Sequence, residues 1–215
     1  MGSVRPGDMH ATLDAYLDEL ERWSERVNLT SIPRESMWER NVVEVEELLR
    51  VAAPSPHSRV VDIGSGGGVP GIVIAILRPD LSVTLLDSDR RKTAFLDHVA
   101  GLLGLSGVIV EALRAEDAGR REGMRERFDL VTSRATAPPP VLCELALPLL
   151  HIGGNLCALV ADAPAARSAC AVAAFACGGD GPEAPANGVL RVSKVAPTPH
   201  DYPRRSGIPN RHPIR

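Results

Sequence analysis

Leu13, Leu17, Leu20, Trp23 and Val27 recur every three or four positions, which marks one apolar helix face and predicts a helix over residues 8–27. Asn28-Leu29-Thr30-Ser31-Ile32-Pro33 breaks that period. Trp38, Val42, Val45 and Leu49 restart it, predicting a second helix over 34–52 that ends before Pro54-Ser55-Pro56. The pattern then changes to short apolar runs at 59–63, 81–86, 108–111, 128–132 and 155–160, read as strands. Between them, 71–77, 89–103, 116–125 and 139–150 have helical spacing or length, with Asp89 read as a helix-start residue. Residues 162–187 are rich in Ala, Gly and Pro; the part through Cys177 predicts an alanine-rich helix and the rest a surface loop, before a last strand over 190–195.

Strands alternating with helices imply parallel crossovers and a doubly wound, mostly parallel α/β sheet, with a ligand crevice beyond the carboxyl ends of its strands. A chain of 215 residues accommodates one such domain. The expected organisation is a helical extension over 1–57 and an α/β domain with a basic tail over 58–215.

The first strand runs into Asp62-Ile63-Gly64-Ser65-Gly66-Gly67-Gly68-Val69-Pro70-Gly71. Glycines at 64, 66 and 68 let a backbone lie close against a nucleoside or take positive φ. Gly66, Gly68 and Gly71 also spell the dinucleotide pattern GxGxxG, so two cofactor classes compete. Pro70 removes a backbone N–H that a pyrophosphate would use, whereas Asp62 suits a ligand carrying an ammonium and a sulfonium. That contrast favours S-adenosylmethionine and a class I methyltransferase fold. Asp87, ending the next strand about twenty residues on, suits ribose hydroxyls in either cofactor.

Charge changes the picture at one end only. The total is −3, but from Lys194 onward five Lys or Arg face one Asp, a local +4 that leaves −7 for the rest. A general nucleic-acid coat is therefore excluded, and with 3% aromatic residues base stacking is available at few positions. Cys143, Cys157, Cys170 and Cys177 match neither a redox pair nor a zinc pattern; they are read as buried small side chains, and no metal is expected. With no apolar run of membrane-spanning length and no signal-like start, the expectation is a cytoplasmic protein, monomeric and without membrane partners.

The chain resembles one family, the bacterial guanine-N7 methyltransferases of small-subunit ribosomal RNA (RsmG or GidB), from about Trp23 to Ile214. The resemblance is carried by Asn28-Leu29-Thr30, the 62–71 loop, Leu85-Leu86-Asp87-Ser88 with Arg91-Lys92, Ser133-Arg134-Ala135, and Tyr202-Pro203-Arg204-Arg205-Ser206-Gly207-Ile208-Pro209. It implies cofactor contacts at Gly64, Val69, Ala115, Glu116 and Arg134, and methylation of a guanine in the small subunit. Guanine N7 already has a free lone pair, so no catalytic base is expected. Arg134 is the expected catalytic-site cation, gripping a phosphate, guanine O6 or the methionine carboxylate. Arg114, Tyr202, Arg204, Arg205 and Arg211 are the expected RNA contacts. Two stretches depart from the family pattern: Asn41 replaces a histidine after Arg40, and Val160 replaces a lysine at the fifth strand's end. These departures leave open a divergent paralogue with a small-molecule or other non-ribosomal acceptor.

Overall fold

The computed structural model describes residues 9–215; Asp8, where the first predicted helix begins, lies outside the described residues. Helix α1 is Met9–Ser24, and α2, Arg34–Trp38, passes through a π-helical segment, Glu39–Val43, into α3, Glu44–Ala52. The π-turn was not predicted, because it leaves the apolar spacing almost unchanged. Then follow β1 Arg59–Ile63, α4 Gly71–Leu77, β2 Ser82–Asp87, α5 Arg90–Leu102, β3 Val108–Ala112 and α6 Ala115–Ala118. The chain continues through β4 Phe128–Arg134, α7 Pro139–Ala146, β5 Leu150–Leu159, α8 Ala163–Ala176, β6 Glu183–Ala186, β7 Val189–Ser193 and α9 Ile208–Arg211.

The sheet order is β3-β2-β1-β4-β5-β7-β6, parallel from β3 to β5, with β7 and β6 joined antiparallel. The doubly wound fold is as expected. Because the strand order reverses between β1 and β4, their carboxyl ends part and open a crevice. Along β1, Val60 enters one hydrophobic cluster while Val61 and Ile63 enter the other, the two-residue alternation that covers a sheet on both faces. Leu13, Tyr16, Leu17 and Leu20 of α1 share the first cluster with Ile72 and Phe95. The helical extension is therefore built into the sheet's own core.

Four predicted elements differ. The helix over 116–125 shrinks to α6, since Arg125 turns back to donate to the carbonyls of Gly119, Thr198 and Tyr202. The helix over 139–150 stops at Ala146, where Leu147–Leu149 tighten into a 3-10 turn around Pro148. β5 accordingly starts at Leu150. Within the predicted surface loop, Glu183–Ala186 pairs with β7 as an edge strand, helped by Arg191 reaching Glu183. All four cysteines are buried and free. His151 lies at the opposite end of the sheet from the crevice, bonded to Asp129 at 3.0 Å.

Lys194, the first cation of the basic tail, is buried, 1% exposed. Its Nζ donates to the carbonyls of Leu147 and Cys177 at 2.9 and 3.2 Å and to the Thr198 hydroxyl, with Glu126 at 3.6 Å. Burial pulls its pKa down to about 8 against the opposing pull of Glu126. Lys194→Met removes the charged donor to the Leu147 and Cys177 carbonyls; a hydrogen bond from a charged group is worth about 1.5–3 kcal/mol. Urea unfolding is expected to show that loss, and a change within about 0.5 kcal/mol, typical of a surface site, would contradict it.

Candidate functional site

The glycine loop is stitched to β2 as it leaves β1. The amides of Gly64 and Ser65 donate to the Leu86 carbonyl at 2.8 and 3.1 Å, and the Ser65 hydroxyl accepts from the Leu86 amide while donating to the Asp62 carbonyl. Gly64, Gly66 and Gly68 have φ of 67°, 53° and 89°, a region where other residues are strained. Gly71 is required for a different reason. A Cβ there would sit 2.3 Å from Leu85 and 2.9 Å from Asp62, so only glycine lets α4 start this close to the sheet.

Asp62 lies under the loop rather than on its open side. It is wholly buried; its Oδ1 accepts from Thr132 of β4 at 3.0 Å and its Oδ2 from the Gly71 amide at 3.3 Å. Burial raises its pKa to about 7, opposed by these hydrogen bonds and by the charge of Arg134. Tyr16, equally buried on α1, donates to the Gly67 carbonyl at 2.7 Å, and its own pKa is driven upward by burial. Its sequence signal was a hydroxyl between Leu13 and Leu17 on an otherwise apolar face. Asp87 accepts from the Gly66 amide at 2.9 Å and from the Asp89 amide at 2.8 Å, and so fixes the loop and the entry to α5 together.

A cavity of about 1410 Å³ opens above this loop. That exceeds the roughly 300–1,000 Å³ of an ordinary small-molecule pocket and leaves room for two occupants. Of the residues singled out in the sequence, Gly64, Gly66, Val69, Asp87, Arg114, Ala115, Glu116 and Arg134 line it. Asp62, Gly68, Tyr202, Arg204, Arg205 and Arg211 are not in its lining. Arg40, which opens one of the two stretches departing from the family pattern, lines it as well, and so do Glu44, Thr136 and Asn210; no local motif distinguishes these last three, because segments distant in sequence bring them together. Lys92 and Asn28 line it too, and both belong to the segments that carry the family resemblance.

Arg134, ending β4, has Nη1 bonded to the Arg40 carbonyl and to Asn41 Oδ1, both at 2.8 Å. Burial lowers its pKa from the usual guanidinium value, opposed by Tyr16, Glu44 and Asp62. Glu116 is 3% exposed and accepts from the Gly207 amide at 2.9 Å, so the tail is tied to the cavity wall. Arg204 has its fork on the fully buried Glu144, at 2.8 and 2.6 Å, and its donors are engaged inside the protein. Arg205 and Arg211 are exposed, and Tyr202 packs partly against the second core cluster.

The family model for GidB, rRNA small subunit methyltransferase G, matches residues 9–179. The chain belongs to this family. Two proteins named ribosomal RNA small subunit methyltransferase G are among its relatives. The one from Moorella thermoacetica is 36% identical over 95% of this chain and 90% of its own. The one from Roseiflexus castenholzii is 42% identical over 93% and 89%. Among solved structures, a mutant of MtNAS in complex with S-adenosylmethionine aligns with a TM-score of 0.58 at 14% identity, over 87% of this chain and 76% of that one. A Corynebacterium glutamicum protein aligns with a TM-score of 0.57 at 18% identity, over 87% and 93%. At those identities the likeness is one of fold.

In this GidB-family chain the raised pKa of Asp62 makes the loop's support depend on pH. The folded value, about 7, lies above the ordinary 3.8, so the protonated carboxyl favours folding: its contribution is full below about pH 4 and is lost as pH rises through about 7. Asp62→Asn lacks this titration. Urea unfolding of ligand-free protein is expected to show the stability of the variant relative to wild type rising between about pH 4 and about pH 7 and levelling above; a difference independent of pH would contradict the assignment.

Proposed function

We propose that the protein transfers the methyl group of S-adenosylmethionine to N7 of a guanine in small-subunit ribosomal RNA. The observation that carries the proposal is the one cavity lined both by the glycine loop with Asp87 and by Arg134. The residues at the loop end fit a nucleoside. The positive-φ glycines expose backbone there, Asp87 keeps acceptor capacity beyond the bonds it makes to the loop, and Ala115 leaves a shallow wall for a flat ring. When bound, S-adenosylmethionine supplies an electrophilic methyl on a positively charged sulfur.

The chain's own residues then have a limited task. Because N7 has a free lone pair, nothing has to remove a proton, and holding two reactants in line supplies about 7–11 kcal/mol at best. Gly64, Gly66 and Val69 form the cradle, while Arg134 presents donors that stay charged at any working pH and grip an oxygen of substrate or cofactor. Glu116 contributes by fixing the tail through Gly207. Asp62 and Gly68 act from beneath, shaping the loop. For the RNA, Arg114 faces the cavity, and Arg205 and Arg211 offer free charges outside it. Arg204 holds the tail to Glu144, and Tyr202 supports that fold. A second reading, a non-ribosomal acceptor, is favoured by Val160, which lines the cavity without supplying a charge.

The direct test incubates the protein with labelled S-adenosylmethionine and small subunits from a strain lacking the modification. Label is expected in RNA as 7-methylguanine, and its absence while the cofactor binds would overturn the proposal in favour of the second reading. Gly64→Ala is expected to abolish cofactor binding by calorimetry: its Cβ would meet Thr136 at 2.3 Å and its φ is 67°. A separate expectation concerns salt. Replacing Arg205 and Arg211 together by alanine should reduce the logarithmic salt slope of RNA binding by about 0.7 for each phosphate contact removed.

A further inference from the structure

The π-helical segment Glu39–Val43 interrupts an otherwise α-helical run, and single π-turns inside helices recur at functional sites. This one delivers two acceptors to a single nitrogen. The Arg40 carbonyl and Asn41 Oδ1 both receive hydrogen bonds from Arg134 Nη1 at 2.8 Å. Asn41 is wholly buried, and among the described residues its Nδ2 is the buried side-chain polar atom left without a partner. A buried amide that leaves half of its hydrogen-bonding capacity unused is costly, so stability alone does not account for asparagine here. A small aliphatic residue would carry no such penalty.

Arg134 itself is anchored at one nitrogen only. Its described hydrogen bonds both run through Nη1, while the side chain lines the cavity. We infer that Asn41, held in place by the π-turn, is a positioning residue that fixes one end of the Arg134 guanidinium and so aims Nε and Nη2 at the acceptor's side of the cavity. A guanidinium is a rigid planar fork, so holding one nitrogen at two acceptors sets the direction of the remaining donors. The charged or titratable groups acting on Arg134 are Tyr16 of α1, Arg40 of the π-turn, Glu44 of α3 and Asp62 of β1. The uncharged amide of Asn41 provides direction without adding another charge.

The kinetic part of this inference rests on the methyl-transfer reading, but the anchor can be read without it. Nitrogen-15 arginine NMR, with the Arg134 signal assigned from its loss in Arg134→Lys, is expected to show slowed guanidinium rotation in wild type and averaged nitrogens in Asn41→Ala. Methylation by Asn41→Ala should fall roughly tenfold or more in kcat/KM, the worth of one hydrogen bond to a charged group, with little change in thermal stability. Asn41→His supplies a ring nitrogen that accepts only when neutral. Burial and the neighbouring Arg134 charge hold that imidazole neutral to well below its ordinary value of about 6.5. Activity is therefore expected to be largely kept at neutral pH and to fall only in more acid solution. An unchanged Arg134 signal in Asn41→Ala, kcat/KM of that variant within twofold of wild type, or an Asn41→His variant no more active than Asn41→Ala at neutral pH would overturn the inference. Failure of wild type itself to methylate RNA would overturn the function proposed above, and the NMR comparison would still decide the anchor.

Discussion

A single buried carboxylate ties the sheet to its site. Asp62 closes β1 at the point where the strand order reverses, and it holds β4 through Thr132 and the start of α4 through the Gly71 amide. The first bond adds a side-chain link between strands already paired through their backbones, and the second draws the start of α4 onto the end of β1. The loop above can then take three positive-φ glycines without collapsing, since its carbonyl and amide groups are already committed to β2, to Asp87 and to Tyr16. The cost of taking this carboxylate out of water appears as a pKa near 7. The cavity's shape depends on that arrangement, and with it the reading of its loop end as a cofactor cradle.

The N-terminal helices do more than cover the sheet. Tyr16 on α1 and Asn41 on the π-turn each reach the site from the same side, one to the loop backbone and the other to Arg134. Both are buried polar groups inside apolar helix faces, where an unpaired group is expensive. The tail does the corresponding work on the other side, through Glu116, Asp117 and Glu144. Much of the charge asymmetry in the sequence is thereby used in folding. Lys194 and Arg204 neutralise interior acceptors, which leaves Arg205 and Arg211 as the exposed cations of the 202–211 element.

The sequence by itself determined what local periodicity and short-range chemistry can carry. Alternation of strands and helices forced the doubly wound sheet, and the run of glycines between an acid-ended strand and an apolar helix located the loop. Segments such as Ser133-Arg134-Ala135 pointed to the family. Tertiary structure decided the rest, because it concerns which groups meet across tens of residues. Nothing near Lys194 announces that the Leu147 and Cys177 carbonyls will surround it, and nothing near Arg204 announces Glu144. The shortening of the helix after Glu116 followed from Arg125 bonding to a tail more than seventy positions away. The anchoring of Arg134 by Asn41 depended on a π-turn that the spacing of Trp38, Val42 and Val45 does not register. Hydrophobic period reports which face of a segment is buried; the partner of a buried polar group is chosen by the fold, since burial in a low-dielectric interior makes such a group require one wherever the chain can supply it.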